Sequence, residues 1–350
     1  MISQVNKNLK VFHGLVNYGS QAGLIAHGLR KAGIDALSVS IADPFKRKID
    51  VELMQGDNYF EKIYYKFRNW IRRFYWFFRY NTFHFYFGST LFSKQKDLPF
   101  YKLFRKKVIM EYLGYDVQLY QYSIEKYLIT NIRYYKPHDI SLFDDITKTV
   151  RLKSESRYID KQLVCAPYIS EFVHGSTILP LAIELNEYKY SPKDIPGDEI
   201  VIMHAPTNRG NKGTSFIMQA IDQLQDKGFN IRTLLVENIT HDELKLKYLE
   251  CDIFIDQILG GWYGTACIEA MALGRPTICF IRDSYFEFID YGDEIPIINA
   301  EPSTIYEVLL KTIEEKHLLP EIGKRSREFV EQVHDLNVIT NKLISIYRTL

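Results

Sequence analysis

Apolar residues in this chain fall into short runs separated by helix-spaced sets. Residues 10–14 (Lys-Val-Phe-His-Gly) and 36–40 (Ala-Leu-Ser-Val-Ser) read as strands, and between them Ala22, Ile25, Ala26 and Leu29 recur on one helical face. The pattern predicts a strand, a polar glycine-bearing loop over 15–21, a helix over 22–32 ending at Gly33, and a second strand. This βαβ unit places its loop at the carboxyl end of a strand, where open parallel sheets take ligands. Residues 82–87 and 107–110 read as further strands. Around 180–198 the alternation stops, and the polar, proline-bearing stretch from Tyr190 to Gly197 reads as a linker. It then restarts: strand 199–204, helix 214–224, strand 231–236, helix 242–249, strand 252–255. Next, Gly264 opens a short helix that Gly274 stops and Pro276 forbids from continuing, and residues 277–281 form a buried strand.

Strands alternating with helices in both halves predict an α/β chain with two parallel-sheet domains facing each other across a central cleft. The expected boundaries are 1–184, 185–335, and a last helix over 336–350 that crosses back to the first domain. A length of 350 residues suits two cores better than one. No apolar stretch approaches the roughly 20 residues of a membrane span. Residues 1–7 carry no apolar signal core, so a cytoplasmic location is expected. Cys165, Cys251, Cys267 and Cys279 lack CxxC spacing and sit in apolar contexts, which predicts reduced core thiols and no metal ligands. The nine histidines are scattered. The first loop is a poor match to GxGxxG, so no dinucleotide cofactor is expected.

The net charge of +1 conceals a split of +11 over residues 1–180 and −10 over 181–350. The basic half is expected to face something anionic. Its densest segment, residues 60–80, carries six basic residues, one acid and many aromatics. Such a composition suits an anionic membrane surface. The competing expectation is an amphipathic helix buried on the sheet with its basic face in water. Single-stranded nucleic acid also uses aromatics with arginine, but nothing else here resembles a nucleic-acid module, and no nucleic-acid partner is expected.

Two motifs in the second half carry chemistry. Residues 203–214 place Arg209 and Lys212 around a glycine-rich turn before a helix. Arginine supplies bidentate geometry and lysine a point charge, so the pair reads as a pyrophosphate clamp. About 50 residues further on, Gly264 permits close backbone approach at a helix start that favours phosphate. Glu269, one turn in, is placed to accept hydrogen bonds from a sugar diol.

With these residues the chain resembles the retaining GT-B glycosyltransferases of family 4. The resemblance runs through Ala205-Pro206-Thr207-Asn208-Arg209 with Lys212-Gly213-Thr214, through Asp256-Gln257 and Gly261-Trp262-Tyr263-Gly264, and through Glu269 to Pro276. In the first half, Gly14 to Gly23 (with Gly19 inside) resembles that family's glycine loop. Phe83 to Gly88 resembles its FHFHFG-like strand end, and Gly114-Tyr115-Asp116-Val117 its GSD-like turn. His334-Asp335 and the final helix also fit.

The resemblance implies two Rossmann-like domains, a nucleotide-sugar donor bound by the second, an acceptor bound by the first, and no metal. It assigns catalytic roles to Arg209, Lys212, Asp116 and His84. Donor contacts fall to Gly19, Gly264, Thr265 and Glu269, with the turn Glu237-Asn238-Ile239 near the base. Two positions depart from the family pattern: Gly261 stands where a sugar-binding glutamate is usual, and Leu113 where a cleft histidine is usual. The expected activity is transfer, with retention, of a sugar to a saccharide or polyprenyl-linked acceptor in cell-surface polysaccharide synthesis. The protein would sit peripherally on the inner face of the plasma membrane. Two other expectations stay open: an inactive saccharide-binding or partner subunit, and a sugar-nucleotide epimerase. Nothing in the sequence fixes an oligomeric state.

Overall fold

The computed structural model describes residues 9–41, 48–134, 144–291 and 295–350. The leader expectation, which concerned residues 1–7, lies outside the described residues. In chain order, the first stretch runs β1 (Lys10–Leu15), α1 (Gln21–Lys31), β2 (Asp35–Ser40), β3 (Val51–Glu52), α2 (Tyr59–Arg79), β4 (Thr82–Tyr86), α3 (Leu98–Leu103) and β5 (Lys107–Tyr112). It continues with α4 (Tyr120–Lys126), α5 (Asp145–Glu155), β6 (Lys161–Val164) and β7 (Thr177–Ile178). Then come β8 (Ile200–His204), α6 (Arg209–Lys212), α7 (Thr214–Asp226), β9 (Ile231–Leu235), α8 (His241–Glu250) and β10 (Ile253–Ile255). The last stretch is α9 (Thr265–Ala272), β11 (Thr277–Cys279), β12 (Ile297–Asn299), α10 (Ile305–Glu314), α11 (Leu319–Val333) and α12 (Leu336–Arg348).

The chain divides into two compact units, each built on a parallel sheet. The first takes the described parts of 1–118, 145–182 and 336–350; the second takes those of 119–144 and 183–335. The described parts of 119–144, expected from the sequence in the first domain, group with the second unit.

The first unit's sheet has the order β3-β2-β1-β4-β5-β6-β7, with parallel registers such as Val11↔Ala36 and Phe83↔Val108. Val11, Ile25, Leu29, Ile109 and Leu163 form its core with Leu336, Ile339 and Leu343 of α12. A chain end thus supplies part of a core begun at the other end.

Helix α2 is reversed relative to an ordinary surface helix. Asn58 caps it, its side chain accepting from the Glu61 N–H at 2.9 Å. Trp76 and Phe77 anchor its last turns on Phe12 and Tyr101, with ring centroids 5.4 and 5.1 Å apart. Upstream, the inward positions are the half-buried Arg68, Arg72 and Arg73 and the buried Asn69, whose amide donates to the Met54 carbonyl at 2.8 Å. Phe60, Ile63, Phe67, Trp70, Phe74 and Phe78, spaced three and four apart, make an outward apolar stripe. Phe60 is 82% exposed and Phe67 and Phe78 are each 63% exposed. The expectation of a helix packed through its aromatic side with a solvated basic side is therefore overturned over this length. Two buried rings suffice to dock the helix, and the rest of the stripe points out. Among the described residues no helix is long and apolar enough to cross a membrane.

The second unit's sheet has the order β12-β11-β10-β8-β9, again all parallel. Ile200, Ile202, Ile253, Ile255 and Ile278 from its strands meet Ile217, Ile221 and Leu224 of α7 and Leu309 of α10. These isoleucines line one face, and the alternate residues Val201, Met203 and Phe254 are buried as well, so both faces of the central strands are covered, as parallel sheets require. All four cysteines are free and buried.

Candidate functional site

The second unit gathers its polar side chains where β8, β9 and β10 end. After β8 the chain turns through 205–208, and Asn208 caps α6 by accepting from the Asn211 N–H at 3.1 Å. Arg209 and Lys212 stand at the two ends of that short turn. Lys212 Nζ lies 2.6 Å from Asp256 Oδ1. Asp256 is the first residue after β10, and its other oxygen, Oδ2, accepts from the Gly264 N–H at 3.1 Å. One nearly inaccessible carboxylate, 1% exposed, therefore fixes both the lysine and the start of α9. Its desolvation is offset by a cation and a backbone donor together.

Arg209 makes a fork with Glu237, which lies just beyond β9: Nε to Oε1 2.9 Å and Nη2 to Oε2 2.5 Å. This contact raises the Arg209 guanidinium's pKa and holds Glu237 below the usual carboxylate range. Asn238 follows at φ 56°, and Ile239 is exposed. Thr240 and Glu243 then close a capping box on α8. The fork leaves the guanidinium 61% exposed, so an added anion can share it.

Glu269 is buried in the second turn of α9. His241 Nε2 lies 2.8 Å from its Oε1, and the Tyr248 hydroxyl donates to Oε2 at 3.4 Å. Because the Gly264 N–H is occupied by Asp256, the donors left for an anion begin at Thr265, in the first turn of α9.

The departure at Gly261 has a backbone cause. Gly261 sits at φ +80°, and a Cβ there would lie 3.2 Å from both Arg282 Nε and Tyr285. A glutamate would be strained and crowded at this position. Arg282 is itself held by the Ile129 carbonyl, 2.7 Å from Nη2, and by the Tyr127 ring, 3.8 Å from its centroid. A cationic side chain thus stands beside the position where the family pattern has a carboxylate.

The remaining expected site residues belong to the first unit. Gly19 lies in the short turn Tyr18–Ser20 at φ 52°, where its carbonyl accepts from Gln21 Nε2 at 3.1 Å. His84 is fully buried: Nδ1 is 2.6 Å from the Tyr347 hydroxyl of α12 and Nε2 is 3.0 Å from Glu111 Oε2. Burial lowers His84 to about 3 and raises Glu111 to about 8, so the pair is neutral at pH 7. His13, at 2.8 Å from the Tyr86 hydroxyl and 3.4 Å from that of Tyr347, extends this buried chain. Asp116 Oδ1 accepts from the N–H groups of Leu113 and Gly114 at 3.1 and 2.9 Å. Burial lifts its pKa to about 6, and its Oδ2 has no hydrogen-bond partner among the described residues. Leu113 is buried and offers this turn only its backbone.

Asp256 was among the segments that carry the sequence resemblance but had no role assigned to it, and His241 and Arg282 were missed as members of this arrangement. The available signal for Asp256 was a carboxylate at the end of a short buried strand, eight residues before a glycine that needs a partner. His241 and Arg282 gave no local signal. Among the described residues no group of three or more His, Cys, Asp or Glu side chains forms a metal-binding set.

No protein-family model matches this chain. Part of it is 23% identical over 134 residues to the provisionally named glycosyltransferase 45 of Sulfolobus islandicus filamentous virus (isolate Iceland/Hveragerdi). That match spans 34% of this chain and 38% of the viral protein, well under half of its length. Among solved structures, the sucrose-phosphate synthase of Thermosynechococcus elongatus superposes with a TM-score of 0.61 at 15% identity, over 98% of both chains. Anabaena Alr3699/HepE, in complex with UDP and glucose, gives 0.61 at 14% identity over 97% of this chain and 99% of that one. A glycosyltransferase of Rickettsia africae ESF-5 gives 0.60 at 14%, over 98% of both. With its sheets of seven and five parallel strands, this chain has the GT-B fold.

Proposed function

We propose that this protein is a glycosyltransferase that takes a nucleotide-sugar donor into its second unit. The observation that carries the reading is the Asp256 carboxylate, which holds Lys212 and the first turn of α9 at one sheet edge. In this reading Lys212 and Arg209 face the donor diphosphate, and the backbone of Thr265 faces the same charge. They oppose the negative charge that builds on the departing nucleotide. Glu269 takes the ribose hydroxyls, with His241 as its buttress, and residues 237–239 border the base. His84 and Asp116 act from the first unit: His84 by positioning through its buried chain, and Asp116 by holding the turn that carries Leu113. Gly19, in the turn after β1, keeps in this proposal the donor contact that the sequence resemblance implies. Retention at the anomeric carbon, independence of metal, and a role in cell-surface polysaccharide synthesis belong to the same proposal. So do a saccharide or lipid-linked acceptor and peripheral attachment to the inner face of the plasma membrane. The likeness to a structure holding UDP and glucose supports the donor class, and the outward aromatic stripe of α2 supports the attachment.

A second reading keeps a specific observation on its side. Gly261 at φ +80° removes a carboxylate that normally contacts the sugar, which suits a saccharide-binding or partner subunit without turnover. Release of free nucleotide from a panel of sugar nucleotides, with and without membrane extract, separates the two. Steady release by the purified protein that disappears in Lys212→Met supports transfer. Nucleotide binding without release under either condition supports the inactive subunit.

A further inference from the structure

A second group of cations lies wholly within the first unit. A cavity of about 540 Å³ opens beyond the end of β4, and Arg73, Lys94 and Arg151 line it with Ser89 and Ser93. No acidic side chain lines it among the described residues. Its floor is a built turn: Phe87 and Gly88 both have positive φ, and the Gly88 carbonyl accepts from Gln95 Nε2 at 2.8 Å. A Cβ on Gly88 would fall 2.8 Å from Arg151 Nη1, so glycine here makes room for a guanidinium. Arg151 is held from behind, by the Asp116 carbonyl and at 3.9 Å by Glu155. The Nε atoms of Arg73 and Arg151 are buried without a hydrogen-bond partner among the described residues. Burial also lowers the pKa of Arg73, with Asp97 opposing, as for a cation incompletely compensated by its own chain.

This cavity is continuous with the apolar stripe of α2. Arg73 and Phe74 are neighbours on that helix, and Phe74 packs on Phe92 of the cavity wall with ring centroids 5.2 Å apart. Trp70 meets Phe74 at a tilt, with centroids 4.4 Å apart, and at the other end Phe78 meets the exposed Phe104 at 5.9 Å. A polar anion hole therefore opens beside an exposed strip of rings. Three cations with two serines exceed what one carboxylate satisfies and match a phosphate or diphosphate.

We propose that this cavity binds the phosphate or diphosphate headgroup of a long-chain lipid whose bilayer takes up the α2 stripe. The assignment of that lipid as the sugar acceptor rests on the glycosyltransferase reading; its binding does not. Arg73 and Arg151 grip the phosphoryl oxygens, Lys94 adds charge at the rim, and the rings of α2 enter the headgroup boundary.

The test is cosedimentation of the full chain with phosphatidylcholine vesicles carrying either polyprenyl phosphate or phosphatidylglycerol at equal surface charge. The parent is expected to bind the polyprenyl phosphate vesicles roughly tenfold more tightly, the worth of a charge-assisted contact. Arg73→Gln and Arg151→Gln should each erase that preference, whereas Phe67→Ser with Trp70→Ser should weaken binding to both vesicles. If Arg73→Gln fails to fold, Lys94→Gln at the exposed rim should still reduce the preference. Equal binding of the parent to both vesicles overturns the proposal, as does a preference that survives all three cation variants. Inorganic phosphate or diphosphate binding as tightly as the lipid would make this a free-phosphate site and overturn it too. Thermal stabilisation by UDP, read on the same samples, keeps the two readings apart. UDP binding without lipid preference sinks the headgroup site alone, and lipid preference without UDP binding sinks the donor site alone.

Discussion

The two units present their cations to anions in opposite ways. In the second unit the two clamp cations each have a carboxylate of their own, Lys212 with Asp256 and Arg209 with Glu237. In the first unit the cavity cations meet no lining carboxylate among the described residues, and two guanidinium Nε atoms are buried without partners. Paired cations are oriented before a ligand arrives, and the ligand must share them, which favours geometry over raw affinity. Cations that are less fully compensated, as Arg151 is with Glu155 only at 3.9 Å, gain more from any anion that fits, and their attraction is more sensitive to salt where solvent reaches them.

The comparison breaks first at Asp256. Asp256→Ala leaves Lys212 beside a buried gap and frees the Gly264 N–H, and it should cost about 3–5 kcal/mol of stability. Denaturant unfolding of the purified variant reads this directly, and a loss under 1 kcal/mol would mean that the pair does not organise the edge. Next comes Lys212→Met, which keeps the stem and removes the charge. It should lower nucleotide release by roughly 100-fold or more, with an unchanged circular dichroism spectrum. Arg209→Ala should lower release by less, about tenfold, because its exposed guanidinium is already shared with Glu237. Equal losses in these two variants would contradict the division between buried and exposed cations. Salt is a milder probe. Raising ionic strength should weaken vesicle binding by the first unit more than nucleotide binding by the second.

The smallest expected effect concerns the buried chain under α12. Burial raises Glu111 from 4.5 to about 8, so its contribution to stability is complete below pH 4.5 and is lost as pH rises through about 8. Glu111→Gln removes that loss, so the unfolding midpoint of the variant should decline less than the parent's between pH 6 and 9. His84 runs the other way: lowered from 6.5 to about 3, it supports the fold above pH 6.5 and fails as pH falls through 3. A parent and variant with parallel profiles on the alkaline side would show that Glu111 is already ionised in the folded protein.

Most of the fold was legible because its strands announce themselves by composition. β8 and β10 are nearly continuous apolar runs, β1, β2 and β4 are short stretches rich in aliphatic or aromatic residues, and several helices between them carry clean periodicity. β3, β6, β7 and β12 were not legible. Lys161–Val164 begins with two polar residues, and the other three strands are only two or three residues long. Each is a strand because its neighbours in the sheet make it one. At the site, Arg209, Lys212 and Glu269 were legible as charged residues beside glycine turns. Their partners were not, because Asp256 and His241 lie 44 and 28 residues away in sequence. The sequence also could not show which way α2 faced. Rings lie nearly all round that helix, and only the docking of Trp76 and Phe77 decides which of them remain outside.

Binding of a nucleotide by the second unit, through the lysine that Asp256 holds, is open to calorimetric titration of UDP into the parent and into Lys212→Met. Saturable binding by the parent is expected, with at least tenfold weaker binding by an equally folded variant. Equal affinity in the two proteins, or none in the parent with any of the common nucleoside diphosphates, would contradict it.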